Sequence, residues 1–172
     1  MRLFHTLAAA GIALVALAGS AFATPVAIAP AALSPDLQTK LTKEYGQREA
    51  DYLRARIDRA LGQALARVGG EPTAGAPFRI ETTIVAARPN RPTFRQLSDT
   101  PGLDYMRSFG TGGAELTAVL RDAAGAPVGE VTHRYYSYDI RYVYANTTWH
   151  DAERAIQGFA RKVANEYARV PH

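Results

Sequence analysis

ELTAVLRDAAGAPVGEVTHRYY, residues 115–136, reads as two strands closed by a turn. From Glu115 to Arg121 and from Val128 to Tyr136, polar and apolar side chains alternate with the period of a half-buried sheet. Between them, Asp122-Ala123-Ala124-Gly125 sets Asp first and Gly fourth, the residues that a type I turn favours at those positions. The register stays open. A loop of two or four residues groups Leu116, Ala118 and Leu120 with Val131, His133 and Tyr135, and turns Tyr136, Tyr138, Tyr142 and Tyr144 outward. A three-residue loop ending at Gly125 turns that ladder inward. Turn chemistry favours three residues, whereas an odd loop buries Glu130 and Arg134 beside Leu116. A strand running unbroken to Tyr144 would be about 55 Å long at 3.3 Å per residue, so a bend is expected near 137–139. Packing is the simpler reading of the rings, and display to a partner is the alternative.

Working outward, Phe78, Ile80, Thr82 and Ile84 alternate with Arg79, Glu81, Thr83 and Val85 and predict another strand. Leu53, Ile57, Leu61, Ala64, Leu65 and Val68 recur at helical spacing within 47–68, and Gly69-Gly70 provides a left-handed stop. Ala152, Ala155, Ile156, Phe159, Ala160 and Val163 mark a closing helix. Thr148 is placed to cap it, with Asp151 reaching back three residues on. Residues 24–46 read as an extended lead-in with a short strand at 26–29. Residues 88–113, broken by Pro89, Pro92, Pro101 and several glycines, form a connection too long to be ordinary. The fold class expected is α+β: a two-layer sandwich with a mostly antiparallel sheet and two helices packed on one face.

The first 23 residues have a basic start at Arg2, an apolar run from Leu7 to Ala18 and the small-residue signal Ala21-Phe22-Ala23, the pattern of a secretory signal peptide. The apolar run is shorter than the roughly 20 residues that span a bilayer, and no later stretch approaches that length. Cleavage near Ala23 leaves 149 of the 172 residues, which read as one domain, 47–172, behind the lead-in. A periplasmic or secreted location follows. With no cysteine, the chain has neither disulfide nor thiol chemistry. Of the 20 basic residues Arg2 leaves with the signal, so 19 face 16 acidic ones in the mature chain. That mild surplus argues against a nucleic-acid partner and is compatible with an anionic envelope component.

The residues offer little for catalysis. There is no G-x-S-x-G elbow, and Ser98, Ser108 and Ser137 stand in contexts that turns and strands explain. His133 and His150 lack metal-ligand spacing, so neither a metal nor a cofactor is expected. Gly110-Thr111-Gly112-Gly113 leads into a strand rather than a helix, which favours close packing over phosphate binding. Binding candidates are Arg88, Arg91, Arg95 and Arg107, interleaved with Phe94, Tyr105 and Phe109 in the long connection, together with Tyr136, Tyr138 and Tyr142. The simpler reading pins that connection to the domain by its rings and leaves the arginines hydrated.

Gly112-Gly113-Ala114 leading into ELTAVLRDAAGAPVGEV, followed by TWHDAERAIQGFARKVA, resembles small exported envelope proteins of Gram-negative bacteria grouped as domains of unknown function. The likeness covers 47–167. It implies a periplasmic α/β module tied to envelope assembly, with no catalytic residues to carry over. Many such proteins carry a lipobox cysteine, which this chain lacks. The leading expectation is thus a non-catalytic module binding an envelope protein or anionic envelope component. A small exported hydrolase acting on a cell-wall or ester substrate, and a structural subunit of an oligomer, are the alternatives.

Overall fold

The computed structural model describes residues 24–143 and 147–170, so the stretch read as a signal peptide and Tyr144 lie outside the described residues. Strands β1 (Thr24–Ile28) and β2 (Ala32–Leu33) are followed by α1 (Pro35–Lys40), a π-helical turn (Leu41–Tyr45) and α2 (Gln47–Ala66). Then come β3 (Gly70–Pro72), β4 (Phe78–Arg88), α3 (Phe94–Asp99), β5 (Gly113–Arg121) and β6 (Pro127–Tyr136). A 3-10 turn (Ile140–Tyr142) and α4 (His150–Tyr167) complete the described elements.

The fold is α+β, and its sheet is mixed, in the order β3-β1-β4-β5-β6 with β2 also on β4. β1 runs parallel to both β3 and β4, and β2 parallel to β4, while β4, β5 and β6 are antiparallel. Among the described residues four α-helices stand where two were expected, and they do not all lie on one face of the sheet. The segment read as an extended lead-in explains much of the difference. β1 lies inside the sheet, and residues 35–45 are helical, with Ser34 Oγ accepting from Leu37 N and Pro35 at the first helical position. Helical periodicity over so few residues is too short to register in the sequence, whereas burial of Leu37, Leu41 and Tyr45 stabilises the segment in place.

α2 and α4 pack against one another and α4 also covers β5 and β6. Alternation does what the pattern predicts: Phe78, Ile80, Thr82 and Ile84 on β4 and Leu116, Ala118 and Leu120 on β5 are buried. They meet Leu53, Ile57, Leu61, Ala155, Ile156, Phe159 and Val163 from the helices in one core. Phe78 and Tyr167 close one end edge-to-face at 5.2 Å, while Tyr45 and Trp149 do the same at the other at 5.9 Å.

The hairpin satisfies both competing demands on its register. Gly125, at φ +82°, ends a turn in which its N–H donates to the Asp122 carbonyl and Asp122 Oδ1 accepts from Ala124 N and Ala126 N. A one-residue shift then falls between the pairs Leu120–Gly129 and Arg121–Pro127. This bulge restores the even alignment, so Ala118 pairs with Val131 and Leu116 with His133. Turn chemistry thereby operates without burying Glu130. The chain bends where the length of the run predicts: β6 ends at Tyr136 and residues 137–139 lead into the 3-10 turn, so Tyr138 does not continue the strand.

Candidate functional site

The long connection, the end of β6 and the start of α4 converge on Asp151. Its carboxylate is 1% exposed. Oδ2 accepts from Asn90 Nδ2 at 2.5 Å, Ser137 Oγ at 2.6 Å and Gly112 N at 3.1 Å. Asp151 N in turn donates to Asn90 Oδ1 at 2.9 Å. Asn90 extends the network through its backbone, donating to the Thr148 carbonyl and accepting from Gly110 N. Burial alone pushes the Asp151 carboxyl up, but the bonds from Asn90, Ser137 and Gly112 and the neighbouring His150 outweigh it and hold the pKa below the ordinary aspartate value.

The expected cap at Thr148 is not made. Trp149 is the N-cap residue and has no side-chain capping bond. Asp151 instead turns inward, because three donors from distant segments outcompete a single local one. Its position in the first helical turn still suits its charge. Trp149 is anchored separately, with Nε1 donating to Glu49 Oε2 at 2.5 Å.

As chemistry, this cluster is an anchor. A carboxylate held low in pKa is a weak base. The Ser137 hydroxyl is committed to Asp151, and no hydrogen bond joins it to an imidazole among the described residues. No group of three or more His, Cys, Asp or Glu side chains among the described residues is arranged to hold a metal ion.

The glycines permit the convergence. A Cβ on Gly112 would stand 2.5 Å from Asn90 Oδ1 and 2.9 Å from the Arg88 carbonyl, so this position accommodates the close approach read from the sequence.

The candidate arginines separate into different roles. Arg91 is 4% exposed, and its Nη1 donates to the carbonyls of Tyr105 at 2.6 Å and Met106 at 3.1 Å. Its guanidinium also lies over the Tyr105 and Phe109 rings. It therefore straps the connection from inside and is not a hydrated surface charge. Arg91→Ala removes two charge-assisted bonds, each contributing about 1.5–3 kcal/mol. Limited proteolysis within 100–110 is expected to accelerate at least tenfold, with a smaller loss of global stability. An unchanged cleavage rate would refute the strap. Arg95 pairs with Asp99 on α3, a helix set by a capping box between Thr93 and Gln96, and Arg107 is exposed.

Arg88 and Tyr136 do meet. Arg88 reaches over the Tyr136 ring at 5.3 Å, with Gly113 between them in the pairing, while Arg134 lies over the same ring at 5.4 Å. Burial and Glu115 push the Tyr136 phenol upward against the two arginines, keeping it neutral. Tyr138 is 92% exposed, two residues beyond it and past the bend. The Tyr142 side chain lies outside the described residues.

Asn90 and Arg154 went unremarked in the sequence, Arg134 and Tyr135 entered only the register argument, and Ser137 and His150 were weighed for catalysis and metal binding and set aside. Several of these line a cleft of about 470 Å³ between the end of β6 and the first turns of α4. Arg154 lies over Tyr135 at 5.1 Å. An aspartate in the sequence WHD at a helix start was the available signal, but capping and anchoring have the same local appearance.

Fold and site together define an α+β domain whose irregular segments are locked to the scaffold by one buried carboxylate. Neither a protein-family model nor a curated protein matches the chain. Among solved structures, the PelC dodecamer from Paraburkholderia phytofirmans is similar at 15% identity, over 92% of this chain and 94% of that one, with a TM-score of 0.49. A DUF330 protein from Xanthomonas campestris is 11% identical over 87% and 88% of the two chains, with a TM-score of 0.45. A lipoprotein from Neisseria meningitidis is 11% identical over 84% and 98%, with a TM-score of 0.41. No helix among the described residues is long and apolar enough to cross a membrane.

Proposed function

We propose that the protein is an exported, non-catalytic module of the cell envelope that docks a protein partner through the segment following β6. One observation carries this reading: Tyr138 and Ile140 are 92% and 54% exposed on a segment whose base, Ser137, is tied to buried Asp151. A large ring presented from a tied base needs little ordering of the backbone on binding, which suits an interface anchor. Phe94 and Met106 add exposed apolar surface on the connection tied to the same carboxylate through Asn90 and Gly112. Non-catalytic describes a centre whose hydroxyl and carboxylate are bonded to each other.

The test places a photo-crosslinking residue at position 138 in cells exporting the full chain, with Arg79 on the exposed side of β4 as the control position. A discrete adduct from position 138 and none from position 79, abolished by Ile140→Ser at unchanged melting temperature, is the expected result. An adduct with the mass of two copies would assign the face to self-assembly instead. No adduct, or identical patterns from both positions, would refute the docking face.

A further inference from the structure

We infer that the cleft beneath Tyr138 is a binding site for an anionic saccharide, a sugar ring carrying a carboxylate or phosphate. This inference shares Tyr138 with the docking reading but does not rest on it, because a soluble sugar is read by titration and a protein partner by crosslinking.

Charge is the first argument. Two carboxylates line the cleft of about 470 Å³, and both are already engaged by the protein's own donors. Asp139 is held by Arg141, whose Nε and Nη2 donate to it at 3.0 and 2.6 Å, and Asp151 is buried under three donors. The cations are not matched in the same way. Arg154 is exposed and makes no ion pair among the described residues, and Arg134 has only Glu115 at 3.9 Å. His150 lines the same cleft. With Asp139 paired to Arg141 and the Asp151 charge buried beneath its donors, the exposed Arg154 guanidinium, which has no ion-pair partner among the described residues, is left to meet an oxyanion, and its planar fork suits carboxylate and phosphate alike.

Shape is the second. A second cleft of about 360 Å³ shares His150 and Arg154 with the first and adds Arg161, while its one carboxylate, Glu153, is held by Arg56 and Tyr52. Both volumes lie in the range of small-molecule sites, and Arg154 stands where they join. Tyr135, Tyr136 and Tyr138 line the larger cleft. Tyrosine presents an apolar face together with a hydroxyl, the mixed surface that a sugar ring also presents. Guanidiniums already cover Tyr135 and Tyr136, so the ring face left for the sugar is that of Tyr138, and the arginines over its neighbours fix where an anionic substituent sits relative to it.

The experiment uses the folded chain lacking its first 23 residues and four probes: glucuronate, glucose 6-phosphate, glucose and inorganic phosphate. Binding is followed by amide chemical-shift titration and calorimetry at low and raised salt. Both anionic sugars are expected to perturb residues 135–138 and 150–154, at affinities at least tenfold above those of glucose and phosphate, weakening as salt rises. Arg154→Gln, a surface change that leaves folding intact, is expected to cost at least tenfold in affinity, about 1.4 kcal/mol. Selective response to one anionic sugar assigns carboxylate or phosphate as the group recognised. Equal binding of glucose, equal binding of inorganic phosphate, no shift at 10 mM probe, or affinity unaltered in Arg154→Gln would each overturn the site.

Discussion

Asp151→Ala is expected to lower the unfolding free energy by about 3–5 kcal/mol in equilibrium denaturation. The substitution leaves Asn90 Nδ2, Gly112 N and Ser137 Oγ without their shared acceptor. Unsatisfied buried donors cost about 1–3 kcal/mol each, and water entering the vacated space relieves part of that. Asp151→Asn preserves volume and one acceptor oxygen, so about half the loss is expected. A loss below about 1 kcal/mol for the alanine variant would show that the three segments hold their positions unaided.

The same carboxylate sets the response to acid. Its pKa in the folded protein lies below the unfolded value, so the native state binds fewer protons than the unfolded chain as the medium becomes acidic. The stabilisation is complete above about pH 5 and is lost as pH falls from the ordinary aspartate range near pH 4 through the lowered folded value. Wild type is therefore expected to lose stability on acidification more steeply than Asp151→Asn. His133, whose pKa is lowered by burial and by Lys162 and Arg161, acts in the same direction at higher pH. Its contribution is present above the ordinary histidine value and declines as pH falls through the lowered one. Comparing the two chains between pH 5 and 3 isolates the aspartate.

Gly113→Ala is expected to cost about 3–5 kcal/mol or prevent folding, measured by melting temperature and soluble yield. A Cβ there would stand 2.2 Å from the Tyr135 carbonyl oxygen and 2.5 Å from Tyr136 Cδ1, at a φ of +153°. The obstacle is backbone in a paired strand and cannot swing aside, so overpacking and conformational strain act together. Gly125→Ala is the matched control. It also has positive φ, at +82°, but a Cβ there meets nothing within 4 Å, so only the conformational cost of about 1–2 kcal/mol is expected. Equal losses in the two variants would exclude close strand approach as the reason for glycine at 113.

Much of the candidate surface was legible as residue type and little of it as arrangement. Arg88 and Tyr136 were both singled out and do meet, because β4 and β6 flank β5 and Gly113 leaves room between them. Arg91 looked equivalent to Arg88 but is buried, since the carbonyls of Tyr105 and Met106 fold over it. Nothing local distinguishes those outcomes. Thr148 and Asp151 met every short-range requirement of a capping pair, yet the aspartate binds partners up to 61 residues away.

Periodicity and turn chemistry are interactions over a few residues, and they determined the long helices, the alternating strands and the Asp122–Gly125 turn before any contact was known. Parallel insertion of β1 between β3 and β4, the bulge that reconciles turn with core, and the meeting of residues 90, 112, 137 and 151 required the folded chain. The reason is physical: a buried polar group is stabilised by whichever donors the completed core brings to it, and those donors carry no signature in the residues beside it.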